Sequence, residues 1–195
     1  MRAFLDFEAS SLSDESYPIE VAWVFEDGQE ESHLIRPAAG WIDWDPKAER
    51  IHGISRAALQ ANGEPSDAVA RRLVEVLSGH RLFASAPSWD GKWMSVLIRS
   101  AGFPRHALRL QATQIAQTEG IAEVLGEQLP QTALPEATRS ILASVAEQKA
   151  LFKVGHRALA DARMERWTFA RSIKLAERAA NEARPQTDRA EQTPP

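Results

Sequence analysis

The chain has 195 residues, 44% of them hydrophobic and 26% charged, with no cysteine and a net charge of −4. That balance is globular, and it excludes a disordered chain, a disulfide scaffold and a thiolate metal site. No run reaches the ~18 apolar residues of a membrane helix, Asp6 and Glu8 break the one early apolar run that could serve as a leader, and the acidic balance disfavours a protein that coats long nucleic acid; a cytoplasmic protein with no membrane partner is expected.

Phe4, Leu5 and Phe7 begin a buried strand that carries Asp6 and Glu8. A polar loop follows to Tyr17. Residues 19–25 and 32–36 read as two strands of a hairpin turning at Asp27-Gly28, and Pro37 ends the second. Residues 40–50, with Trp41, Trp44 and Pro46, lack periodicity and read as an ordered loop. Ser55 caps a short helix to about Gln60, with Gly63 after it. Val69, Leu73, Val76 and Leu77 give a helix from Pro65 that closes at Gly79. A strand at 82–85 leads into a helix from Pro87 to Gly102, with apolar positions at Trp89, Trp93, Val96 and Leu97. Residues 109–113 read as a strand, and helices follow near 119–125, from Pro135 and from Arg157. A three-stranded meander followed by alternating helices and strands implies an α/β fold, a mixed five-stranded sheet flanked by helices. One domain over 1–178 and a disordered tail over 179–195 are expected.

Positions 6 and 8 share one face of their strand, about 7 Å apart. Paired carboxylates at the end of an apolar strand repel each other and are costly to desolvate, and a divalent cation relieves both. Asp90 lies in the first turn of its helix, where a carboxylate also complements the helix dipole. Asp161 sits among Ala158, Leu159, Ala160 and Ala162 with no obvious partner in sequence. Five residues apart on one helix, His156 and Asp161 would diverge by ~140°. They can face one site only if His156 precedes the helix, which Gly155 allows. The stretch 151–180 holds seven Lys/Arg against three acids and suits either a solvated helix face or a phosphate path.

Taken in order, Leu5-Asp-Phe-Glu-Ala-Ser10, Pro18-Ile-Glu-Val-Ala22, Ile51-His-Gly-Ile54, Asp90 and Gly155-His-x4-Asp161 resemble the DEDDh (DnaQ-like) group of 3′→5′ exonucleases. This is the family of the polymerase proofreading subunit, ribonuclease T and oligoribonuclease. The resemblance runs from about residue 3 to 172 and implies a ribonuclease H-like fold, with residues 1–178 as the exonuclease domain. It also implies two divalent cations, Mg²⁺ or Mn²⁺, held by Asp6, Glu8, Asp90 and Asp161, with His156 as the base. The implied partner is RNA or single-stranded DNA with a free 3′ end, and the implied product a nucleoside 5′-monophosphate. Phe7, Ala9, Leu12 and His52 fall where relatives touch substrate. The side chain of Phe7 points away from the acids and suits core packing, Leu12 suits a wedge against the terminal base, and His52 suits a hydrogen bond that orders its own loop. A homodimer is compatible with the family. Two other readings stay open: a silent exonuclease-like module that binds nucleic acid without cutting, and a two-metal phosphodiesterase of small nucleotides.

Overall fold

The structure, a computed structural model, describes residues 1–153 and 155–183. It divides into two compact units, the first formed by Met1–Thr113 with Lys153–Arg166, the second by Gln114–Phe152 with the residues from Trp167 on.

The first unit is built on a sheet of six strands: β1 (Arg2–Ala9), β2 (Pro18–Phe25), β3 (Glu30–Arg36), β4 (Glu64–Pro65), β5 (Arg81–Ala84) and β6 (Leu110–Ala112). Their order is β4-β3-β2-β1-β5-β6. β1 pairs antiparallel with β2 and β2 with β3, while β5 and β6 add in parallel on the other side of β1. The five expected strands are present. The sixth, β4, is a two-residue parallel addition to β3, too short to leave a periodic signal in sequence.

Alternation along β1 sorts its side chains. Ala3, Leu5, Phe7 and Ala9 enter the main core with Val21, Trp23 and Phe25 of β2, and the opposite face receives Phe4, Asp6 and Glu8. The main core is closed by helices α3 (Ser66–Leu77) and α4 (Pro87–Ser100), which contribute Val69, Leu73, Leu77, Trp93, Leu97 and Ile98. On the face of the acids, Ala22 and Val24 pack against Ala158 and Ala162 of α7 (Ala158–Ala183). Small side chains on both elements let the helix backbone lie close to the sheet.

Two readings of the sequence are corrected. Residues 40–50 are not all loop, because α1 (Pro46–His52) starts there. Asp45 caps it by accepting from the Lys47 N–H at 2.8 Å, and Pro46 at the first helical position hid the start behind a residue usually read as a breaker. α2 (Arg56–Asn62) then begins at the expected cap, with Ser55 accepting from the Ala58 N–H. The second correction concerns α7, which reaches Ala183. Residues 179–183 of the expected tail are therefore helical, and 184–195 lie outside the described residues.

The second unit holds α5 (Thr113–Leu125, all but its first residue), α6 (Leu134–Lys149) and the later part of α7. Ile121, Leu125, Ile141, Val145, Ala176 and Ala180 form its own core. Inside it the Gln117 amide donates to the Thr168 carbonyl and the Ser172 hydroxyl.

Candidate metal centre

Asp6 and Glu8 reach the same pocket because β1 alternates. Immediately after Glu8 the β1–β2 register shifts, Glu8 facing Glu20 and Ala9 facing Pro18. A bulge at this point turns the strand end without moving the acids off their face. Asp161 arrives from the first turn of α7. Carboxylate oxygens of Asp6, Glu8 and Asp161 lie within 4.8 Å of one another and could hold a metal ion.

Burial and mutual repulsion set the electrostatics. Burial pushes the Asp6 carboxyl up to about 10, helped by the charges of Asp90, Asp161, Glu8 and Glu165. Burial also lifts Glu8 to about 7, with Asp161 and Glu20 adding to it and Arg157 opposing. Three hard oxygen donors, two of them, Asp6 and Glu8, pushed up by burial and by their neighbours' charges, are the donor set a divalent cation fits.

Asp90 is not part of that close trio, although its charge acts on Asp6. It is buried, at 2% exposure. Its oxygen accepts from the Ala86 N–H at 3.3 Å, so it caps a helix whose N-cap residue, Ala86, offers no side-chain bond. Burial raises it to about 7 against the hydrogen bonds from the Ala86 and Phe7 backbone. Asp90 thus has a structural task beside any role toward a cation.

His156 precedes α7, as a shared site requires. It is exposed, with φ +43, a backbone state that L-residues rarely adopt. The next two residues are pinned. The Arg157 guanidinium donates to both oxygens of Glu20 at 2.6–3.2 Å, and the Ala158 N–H donates to Glu20 at 3.0 Å. Glu20 is 2% exposed. This carboxylate was missed in the sequence; a single acid in an otherwise apolar strand, directly opposite Glu8, was the available signal. Glu165 was missed as well. It is buried, four residues after Asp161 and hence on the same helix face.

The remaining expected residues divide. The Phe7 side chain is in the main core, Ala9 is buried and Leu12 is 70% exposed. His52 is buried, and its Nδ1 accepts from the Ile54 N–H at 3.0 Å, the loop-ordering bond expected of it. Its Nε2 is buried without a hydrogen-bond partner among the described residues. The polar loop after Ala9 is held by Asp43, whose carboxylate accepts from Ser10, Ser11 and Ser13 hydroxyls. His33 stacks on Trp23, and its ring nitrogens bond Glu64 and Glu31.

No protein-family model and no curated protein sequence matches the chain. Solved structures do. Escherichia coli exonuclease I in complex with a dA16 oligonucleotide superposes with a TM-score of 0.63 at 15% identity, over 93% of this chain and 42% of that one. The zinc-bound complex of the same enzyme with single-stranded DNA gives 0.62 at 16% identity over the same shares. A product-bound exonuclease I gives 0.61 at 16%, over 93% of this chain and 45% of the other. The fold is the ribonuclease H-like α/β fold of these exonuclease structures. The chain spans less than half the length of each. Among the described residues no helix is long and apolar enough to cross a membrane.

Proposed function

We propose that this chain is a metal-dependent 3′→5′ exonuclease of the DEDDh type, which hydrolyses phosphodiesters from a free 3′ end and releases nucleoside 5′-monophosphates. The observation that carries it is the meeting of Asp6, Glu8 and Asp161, from opposite ends of the chain, with oxygens within 4.8 Å. The fold shared with exonuclease I structures, some of them bound to DNA oligonucleotides, supports the same reading.

Asp6, Glu8 and Asp161 would hold one divalent cation, and Asp90, with Asp6, a second. Bound there, Mg²⁺ or Mn²⁺ supplies Lewis acidity to the phosphate oxygens and offsets the carboxylate charge. The chain's own work is positioning and proton transfer. The imidazole of His156, held outside the helix that carries Asp161, accepts the proton of the attacking water. The water oxygen bonds to phosphorus, the bond from phosphorus to the 3′ oxygen breaks, and that oxygen takes a proton from solvent. Leu12, exposed on the loop after β1, and His52 Nε2, buried without a partner among the described residues, are the groups offered to the terminal nucleotide.

Incubation with Mg²⁺ or Mn²⁺ and separate 5′-labelled RNA, single-stranded DNA and duplex DNA tests this. The expected result is a ladder shortening from the 3′ end, with nucleoside 5′-monophosphate released, stopped by chelation and by Asp161→Asn. No cleavage of any of the three, or cleavage that survives Asp161→Asn, overturns it.

A further inference from the structure

The chain is acidic overall, yet basic side chains gather on the outer face of α4 and the turn after it. Two adjoining open depressions, of about 460 and 240 Å³, share Gly91, Ser95 and Arg105 in their lining. The larger adds Lys92 and Arg99, the smaller His106 and Arg109, and Asp14 is the one acid lining either. Arg99, Arg105 and Arg109 are exposed, and none forms an ion pair among the described residues.

Several cations elsewhere in this unit are engaged. Arg157 binds Glu20, Arg163 binds Glu30, and Arg166 donates to the Glu26 carbonyl. In the basic stretch, which suited either a solvated helix face or a phosphate path, these three arginines near the start of α7 are thus taken up by the fold. On α4, Lys92 is also engaged, through the Ser13 carbonyl and Ser16 hydroxyl. Arg99 gives its Nε–H to the Ser95 carbonyl at 3.1 Å, and the three arginines keep their remaining guanidinium donors for something outside.

We propose that this groove carries the sugar–phosphate backbone of a single nucleic-acid strand whose 3′ end lies at the carboxylates, a proposal that rests on the exonuclease reading above. Two features select this occupant. The groove starts at Pro87 and Ser88, in the helical turn that carries Asp90 on its buried side, and extends to Arg99, about 16 Å along the helix axis and so the length of a few nucleotides. Beside its start the Trp89 ring is partly exposed, stacked on Trp93 with centroids 5.6 Å apart and with the Lys92 ammonium 5.2 Å from its own centroid, and its exposed part offers a contact to an unpaired base. Gly91 and Ser95 keep the floor low enough for a backbone to lie on it.

The test measures binding apart from cleavage. Fluorescence anisotropy of a labelled oligothymidylate in EDTA reads affinity and its salt dependence. Arg99→Glu/Arg105→Glu/Arg109→Glu should weaken binding at least about tenfold and reduce the slope of log Kd against log salt by about two, at about 0.7 per lost phosphate contact. The matching lysine triple should retain both. Cleavage of a dinucleotide, too short to reach the arginines, should stay at the wild-type rate in both triples. The proposal falls if the glutamate triple binds as wild type, if the lysine triple loses as much, or if polyglutamate displaces the strand as well as an oligonucleotide does. If wild type binds with the predicted arginine dependence but cleaves nothing, the groove stands and the exonuclease reading fails.

Discussion

At the scale of single residues, the site is a set of carboxylates held together at an electrostatic cost. Asp6, Glu8 and Asp90 bind protons more tightly folded than unfolded, as burial lifts the first to about 10 and the others to about 7. Such groups favour the fold below their unfolded values near 4, and that contribution is lost as pH rises through the folded ones. The Tm of the metal-free protein is therefore expected to fall between about pH 5 and pH 8, and Mn²⁺ to raise it more at the upper end. A Tm in EDTA that climbs across this range contradicts the charge assignment. Asp6→Asn removes the most strained charge. It should raise the metal-free Tm by about 2–4 °C while lowering cleavage by more than about 10³-fold, some 4 kcal/mol of barrier. A base contributes less, so His156→Ala should lower kcat about 10²–10⁴-fold with Mn²⁺ affinity unchanged; loss of the metal as well would make His156 a structural residue. Asp6 and Glu8 were legible because acids inside an apolar strand conflict with burial. Glu165 was not, because an acid on a long helix has no such conflict until the helix is placed.

At the scale of elements, the site depends on where α7 starts. Glu20 joins the end of β2 to that start through Arg157 and the Ala158 N–H. Arg157→Ala leaves Glu20 buried without its guanidinium partner, with the Ala158 N–H still donating to it, and should cost about 1–3 kcal/mol by chemical denaturation. By loosening the turn before Asp161 it should also weaken Mn²⁺ binding about 10–100-fold. A loss of stability with unchanged metal affinity would separate the ion pair from the site. Gly63 is a second constraint of this kind, because a Cβ there would meet the Leu59 carbonyl oxygen at 2.5 Å and the Arg36 nitrogen at 2.6 Å. Both contacts are backbone and cannot swing aside, so Gly63→Ala is expected to cost about 1–3 kcal/mol. Strong periodicity made α3 and α4 readable, and the Asp27-Gly28 turn did the same for the hairpin. α1 escaped, since its signal is an Asp45 cap and a proline rather than a repeating apolar face. β4 escaped because two residues carry no period.

At the scale of the molecule, the order of strands and helices was readable, since a meander followed by alternating elements admits few arrangements. The division into two units was not. α5 and α6 show the same apolar spacing as helices that cover a sheet, and only their packing shows that they share a core with the later part of α7. Charge was misleading at this scale too, for Arg157, Arg163 and Arg166 of the basic run near α7 are engaged within the fold while Arg99, Arg105 and Arg109, along and after α4, are left facing solvent. The central claim is that acids far apart in the chain converge to hold divalent cations. Titrating Mn²⁺ into the metal-free protein, with free Mn²⁺ read by electron paramagnetic resonance, tests it most directly. The account predicts uptake by wild type that Mg²⁺ displaces and that Asp161→Asn abolishes; no uptake by wild type, or equal uptake by Asp161→Asn, would contradict it.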